Sequence, residues 1–485
     1  MEKIKQIVKI IFIVALPLIF LSCLSYWSND PANPVVICDA EQNQTGPEVV
    51  KTADGNYIIF WVDERRGTVS GFSWNYRDIY GQKLNASGKS LWTEDGIPIV
   101  EGYGEDVTFE RQASIEMVPD GNGGVFLSWT DASGGGTQGD NVRINRIDSS
   151  GNKLWEEEVL LQDGDSGANN SLCSDGSGGV FSSWVYAGFR LWYNRLKSAR
   201  LESSGTISTS YGSITAKGTP EDGEGPAMGS SKIINSGEGE AIIGWSDSRD
   251  GPYYGWQSLR VQKLGAGKTW TSEGVRVSLP NNVIEQIIGD FDIVSDGSGG
   301  VICFWSDPRS GDNDILAQRV DSSGDIVWTE GGAALCDADG DQSYPQAVSD
   351  GSGGAVVVWW DRRDDSQIYA QRIDSDGNCA WTENGVEVGS SGGKSPRIVK
   401  TQEGNYIIFW LADAIMAQKI DPDGTKQWQE EGALVYQEGV EDDYNVMYDA
   451  NGVIVVWSRG GNIYAQKLFE NGTLSPTAST NECLN

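Results

Sequence analysis

The chain has 485 residues, with 36 Lys and Arg against 69 Asp and Glu and no His, for a formal charge of −33. Lack of His excludes a Ser-His-Asp triad, a Cys-His dyad, His-ligated zinc or haem, and a histidine pH switch. The charge opposes nonspecific nucleic-acid binding, which needs Lys and Arg on phosphates, and an aromatic content of 10% sets the chain apart from disordered acidic tails.

In chain order, Lys3, Lys5 and Lys9 precede an apolar run from Ile10 to Leu21. The run is too short for an ordinary spanning helix and fits the apolar core of a secretory signal. It ends Leu21-Ser22-Cys23, which resembles a bacterial lipoprotein box. That resemblance implies a signal peptide over 1–22, lipidation at Cys23, and a protein exported and held in the bacterial envelope. Leu24 after the cysteine favours the outer membrane; an uncleaved signal anchor is the alternative. Residues 23–34 are polar, contain Pro31 and Pro34, and read as a tether. Six further cysteines, Cys38, Cys173, Cys303, Cys336, Cys379 and Cys483, leave any disulfide pairing open. No CxxC motif supports a zinc ribbon or a thioredoxin-like site.

Residues 35–475 are an internal repeat, followed by a tail over 476–485. Two copies show it best: SDGSGG-VICFWSDPR-ILAQRVDSSG-DIVW and SDGSGG-AVVVWWDRR-QIYAQRIDSDG-NCAW. The first Trp of the unit recurs eight times, as Trp61, Trp129, Trp184, Trp245, Trp305, Trp359, Trp410 and Trp457. A second Trp follows in six copies, as Trp92, Trp155, Trp270, Trp328, Trp381 and Trp428, and is missing from the third and eighth. Each unit predicts four short strands. The first leads into a glycine turn, where positive φ costs glycine nothing. The second is the apolar run into the first Trp, the third alternates, and the fourth is expected to begin near the second Trp. Four strands per unit predict a propeller blade. The last copy stops after its third strand. Val35-Val36-Ile37-Cys38-Asp39-Ala40 matches the fourth strand of the fifth copy, Ala334-Leu335-Cys336-Asp337-Ala338. The fold expected is therefore all-β: one eight-bladed β-propeller of four-stranded blades, closed by the N-terminal strand completing the last blade.

The stretch IYAQRIDSDGNCAW resembles the tryptophan-docking repeat of PQQ-like propellers. Tyr80, Tyr369 and Tyr464 hold its aromatic position, Ala317, Ala370, Ala417 and Ala465 its alanine, and Gly88, Gly151, Gly324, Gly377 and Gly424 its glycine. The resemblance implies an eight-bladed propeller and covers both quinone-dependent dehydrogenases and non-enzymatic scaffold lipoproteins of outer-membrane assembly. The quinone enzymes carry a vicinal disulfide, and this sequence has no adjacent cysteines, which favours the scaffold type. The Trp-x-Asp-x-Arg motif of the second strand departs from the family pattern and looks more like other secreted bacterial repeat propellers.

Three groups are candidates for chemistry. Asp63/Arg65, Asp247/Arg249, Asp307/Arg309 and Asp361/Arg363 repeat the Trp-x-Asp-x-Arg motif. They read as a rim of acids and guanidiniums or as one structural pair per blade, and repetition favours the second. Asp337, Asp339 and Asp341, with Asp312 and Asp314, could offer oxygens to calcium, but lack EF-hand spacing and read more simply as Asx turns. No other cofactor and no metal is expected. The third group lies in the connections between second and third strands. These are long and aromatic in the first, third and fourth copies, which hold Trp74, Tyr76, Trp192, Tyr193, Tyr253, Tyr254 and Trp256. In a propeller they emerge side by side on one face, where binding residues concentrate. The function expected is a monomeric, lipid-anchored envelope protein, non-enzymatic, binding a protein or glycan through that face. The alternative is a carbohydrate-active enzyme using a non-repeating carboxylate pair in the central funnel, which needs no His.

Overall fold

The computed structural model describes residues 25–68, 76–101, 115–131, 141–162, 167–187, 194–214, 228–247, 258–279, 290–364, 366–389, 392–440 and 443–475. The chain forms eight four-stranded antiparallel sheets, arranged as an eight-bladed propeller, and contains no helix among the described residues. The second strands explain the stacking. Tyr57–Asp63 and Val301–Asp307 are buried at every position. A strand apolar on both faces must have a sheet on either side. Each blade accordingly shares one core with the next: Phe304 and Ile315 of blade 5 pack with Val357 and Trp359 of blade 6.

The Asp-Gly-Ser-Gly-Gly turns are built by the aspartate. Asp296 accepts hydrogen bonds from the backbone N–H of Ser298 and Gly300, both at 2.8 Å, while Arg319 of the third strand takes its other oxygen at 3.0 Å. A Cβ on Gly300 would sit 2.4 Å from the Val320 carbonyl, so only glycine fits. Asp120–Arg146, Asp175–Arg200 and Asp350–Arg372 repeat the ion pair.

The ring closes as expected. Val35–Cys38 pairs antiparallel with Asn462–Phe469 and is the fourth strand of blade 8. Cys38 lies 3.1 Å from the Arg65 guanidinium, as Cys336 lies 3.0 Å from that of Arg363, so the matched segments occupy equivalent places.

One expectation is corrected. The fourth strand begins after the second Trp, as in Ile97–Val100 after Trp92 and Val386–Gly389 after Trp381. The second Trp stays in the connection, and in five of the six copies it docks on the neighbouring blade, while Trp92 stacks on Phe60 of its own blade. Trp155, Trp270, Trp328, Trp381 and Trp428 donate their indole N–H to the carbonyls of Ser203, Ser322, Ser375, Pro422 and Glu470, at 3.0–3.2 Å. Each indole covers a positive-φ glycine of that turn so closely that a Cβ would come within 3.0 Å of the ring. A buried glutamine holds the docking segment. Gln371 donates to the Thr382 carbonyl (2.8 Å) and accepts from the Trp381 N–H (3.0 Å).

The two copies without a second Trp are completed otherwise. At the junction of blades 3 and 4, the Tyr211 hydroxyl donates to the Gly265 carbonyl at 2.6 Å. At the seam, Trp27 does the work. It is 6% exposed, donates to the Ala86 carbonyl at 3.0 Å, and would lie 2.7 Å from a Cβ on Gly88. Trp27, read from sequence as tether, is the docking tryptophan of blade 8.

The first strands line the axis: Gln44–Lys51, Ile115–Pro119, Gly167–Ser174, Met228–Gly237, Phe291–Ser295, Gln342–Ser349, Lys394–Lys400 and Tyr444–Asp449. Each touches the first strands of the blades before and after it, and the eighth touches the first.

Candidate functional site

The repeated Asp/Arg residues form closed units. The Trp61 indole donates to Asp63 at 2.8 Å, and Arg65 grips the same carboxylate at 2.9 and 2.7 Å. Arg65 also donates to the Asp95 carbonyl at 2.8 Å, tying the turn to the outer edge of its blade. Trp305, Asp307 and Arg309 repeat this, with Arg309 on the Gly331 carbonyl, as do Trp359, Asp361 and Arg363, with Arg363 on the Asn384 carbonyl. Asp63 and Asp361 are fully buried. The geometry suits a turn lock better than a rim of free acids, because charge-assisted bonds already occupy both carboxylate oxygens. Asp247 ends a strand, and Arg249 lies outside the described residues.

Of the aromatic residues, Tyr76 is half-buried beneath the Arg66 guanidinium, 4.3 Å from its ring centre, and Arg66 in turn pairs with Asp78. Trp74, Trp192, Tyr193, Tyr253, Tyr254, Trp256 and Cys23 lie outside the described residues. The aspartate-rich turns are knitted internally: Asp341 accepts from the Asn313 backbone and side chain at 3.1 Å, and Asp312 from the Gly340 N–H at 3.1 Å. Among the described residues no group of three or more His, Cys, Asp or Glu is placed to hold a metal ion.

The arrangement with the most chemical capacity was not singled out in the sequence. It is a ring on the first strands, where each member pairs with the residue preceding a repeat Trp. The members are Glu48, Glu116, Ser171, Lys232, Asp292, Gln346, Arg397 and Asn445. The signal was available: seven of them stand thirteen residues before the repeat Trp, and Asn445 twelve before Trp457, because its hairpin is shorter. The rest of the repeat is similar from copy to copy, but this position carries acid, base, amide or hydroxyl.

Around the ring, Lys232 and Asp292 pair at 2.7 Å, and Asp292 also accepts the Ala347 N–H at 2.8 Å. Asn445 donates to Glu48 at 2.5 Å. Arg397 donates to the Pro396 carbonyl and lies over the Tyr444 ring. Glu48 and Glu116 are therefore neighbouring acids on strands in direct contact. Both are partly open to the bore yet deep in the molecule. Burial pushes the Glu116 carboxyl up to about 8, with the charge of Glu48 adding to the rise and Lys232 opposing it. Burial pushes Glu48 up to about 7, offset by the Asn445 hydrogen bond and by Arg397. Both carboxyls thus keep their protons to higher pH than an ordinary glutamate, Glu116 more so than Glu48. Neighbouring acids whose carboxyls are raised toward neutral pH are candidates for acid–base work. On the loop-bearing side of the axis, an open cavity of about 510 Å³ lies between Gly439, Val440, Arg459, Gly460, Asn462 and Tyr464.

No protein-family model matches the chain, and no curated protein does. Several solved structures resemble it in shape. A PL25 ulvan lyase is 10% identical, with a TM-score of 0.46 over 94% of this chain and 98% of the lyase. An endo-arabinase from Bacteroides thetaiotaomicron is 13% identical, with a TM-score of 0.32 over 62% of this chain and 99% of that one. An α-L-arabinofuranosidase from Fusarium graminearum is 10% identical, with a TM-score of 0.36 over 64% of this chain and 94% of that one. None of these three is a quinone-type propeller. Superpositions at this level carry no activity over to the present chain.

Proposed function

We propose that this protein cleaves a glycan in its central channel, with Glu116 as general acid and Glu48 as its carboxylate partner. The observation that supports this reading is the pair itself: two acids on first strands in direct contact, at a repeat position whose residue type changes from copy to copy, both pushed up by burial. Glycoside hydrolysis needs these two roles, one acid to protonate the leaving oxygen and one carboxylate to activate water or attack the anomeric carbon. If Glu48 attacks, water then hydrolyses the glycosyl-enzyme and gives its proton back to Glu116; if Glu48 activates water instead, it takes that proton and the pair exchanges it with solvent to restore Glu116. Asn445 holds Glu48 in place and favours its ionised form. The test is release of reducing ends from a polysaccharide panel by the purified protein. Glu116→Gln and Glu48→Gln should each lower kcat by about 10²-fold or more while leaving binding in place. A wild type that cleaves nothing, or a Glu116→Gln variant that cleaves normally, overturns the proposal.

A second reading, a non-enzymatic binding or scaffold module for an envelope protein or glycan, is favoured by the aromatic connections of blades 1, 3 and 4. Under it, both substitutions leave ligand capture unchanged and no bond is broken. For location we propose a lipoprotein of the bacterial envelope, modified at Cys23 and held at the outer membrane. The basic start, apolar run and Leu-Ser-Cys end support this. Labelled palmitate incorporated by the wild type and lost in Cys23→Ala tests it; incorporation that survives the substitution refutes it.

A further inference from the structure

The mouth of the channel carries an aromatic surface that blade packing does not require. Two residues before the ring position, the first strands of blades 1, 6 and 7 bulge ahead of a proline. The bulge residues Gly46, Tyr344 and Ser395 have φ of 64°, 56° and 51°. Glycine is at ease in this left-handed region, but a bulky side chain resists it. Blade 6 nevertheless places a tyrosine here and leaves it 47% exposed. A strained backbone holding out an exposed ring points to a use for that ring.

The ring is also well held. It stacks on Trp360, with centres 5.9 Å apart and planes at 28°. The Arg362 guanidinium lies 4.1 Å from the Trp360 centre, and the Trp360 indole N–H donates to the Ser366 hydroxyl. Arg362 pairs with Asp341 at 3.8 Å, so the charge beside the platform is balanced, and both side chains are more than 40% exposed.

We propose that Tyr344 and Trp360 form a stacking subsite for a neutral pyranose ring of the polysaccharide, an inference that rests on the glycan-cleaving reading above. The C–H faces of a pyranose match an aromatic face, and Arg362 and Asp341 stand beside it to bond the hydroxyls. Neutrality follows from charge. The platform offers no unpaired cation to a uronate or sulfate, and the chain as a whole carries −33. Position matters too. Tyr344 lies two residues from Gln346 of the ring, about 7 Å along a strand, and blade 6 stands across the axis from blades 1 and 2, which carry Glu48 and Glu116. A chain stacked on Tyr344 therefore crosses the mouth toward the acid pair with several sugars bound at once.

The experiment measures binding by calorimetry on the detergent-solubilised full chain carrying Glu116→Gln. The probes are gluco-, xylo- and manno-hexaose and a galacturonate hexamer. At least one neutral hexaose should bind, and more tightly than the galacturonate. Adding Tyr344→Gly should raise its Kd by about tenfold or more, while Tyr344→Phe keeps the wild-type Kd. Tyr344→Gly should also melt no lower than its parent, because glycine relieves the bulge, and this separates lost binding from lost folding. An unchanged Kd in Tyr344→Gly, preference for the galacturonate, or no binding of any neutral probe overturns the subsite. Cleavage that persists with unchanged Kd in Tyr344→Gly removes the subsite and leaves hydrolysis standing. Binding through Tyr344 by a wild type that cleaves nothing leaves the subsite standing and removes hydrolysis.

Discussion

Trp27→Ala tests how the propeller is held shut. The indole is 6% exposed, lies against Gly88, meets the Tyr57 ring edge-on at 6.1 Å, and donates one hydrogen bond to the Ala86 carbonyl. Burying a tryptophan removes about 200 Å² from water, which at about 25 cal/mol/Å² has an upper bound near 5 kcal/mol. The hydrogen bond adds about 1 kcal/mol. Trp27 lies ahead of the closing strand and in no sheet, however, so its segment can shift after the substitution rather than leave a rigid cavity around the gap. The expected loss is therefore about 3 kcal/mol, at the low end for buried aromatics. It should be concentrated at the seam. Val35–Cys38 pairs only with Asn462–Phe469, so amide protection on those two strands should fall first in hydrogen exchange. Trp381→Ala, at the junction of blades 6 and 7, is the control, because its neighbours are covalently continuous. If Trp27→Ala leaves the urea midpoint and the seam amides unchanged, Trp27 is not part of the closure and the reasoning fails.

Other outcomes follow from the same geometry. Glu116 holds its proton up to about pH 8 in the fold, against an ordinary value of 4.5. The unfolded chain therefore releases that proton first, and stability should fall as pH rises through this window. Glu116→Gln should flatten that fall and gain on the order of 3 kcal/mol over wild type above pH 8, measured by urea titration across pH; parallel pH profiles would refute the buried-acid account. Trp305→Ala, removing a fully buried indole bonded to Asp307, should cost about 3–5 kcal/mol in the same assay. Trp256→Ala should leave the melting temperature nearly unchanged if that residue serves binding, and a large drop would assign it to packing.

The blades were legible in sequence because each is local. Glycine turn, apolar run and alternating strand recur in one order, and the hydrogen bonds that they satisfy are mostly within one unit. The closing strand was legible because Val35–Ala40 copies a segment whose place in the unit was already known. The docking role of Trp27 was not, since nothing near it in the chain repeats; it is identified only by Gly88 and Ala86, brought beneath it by closure. Tyr211 was hidden for a related reason: a hydroxyl replaces an indole N–H, and only the bond to Gly265 shows the substitution.

The candidate site depends still more on tertiary structure. Its members are the residues at which the copies differ, so a search for similarity passes over them. Glu48 meets Asn445 from 397 positions away, and Glu116 is pushed up by burial in the closed ring and further by Glu48 on another blade. By itself the sequence determined the strand pattern, the number of blades and the strand that closes them, because burial and turn chemistry act over tens of residues. Only the closed ring decided which side chains share the axis, and with that the proton balance of Glu48 and Glu116, because desolvation and Coulomb coupling depend on distance in space and not on distance along the chain.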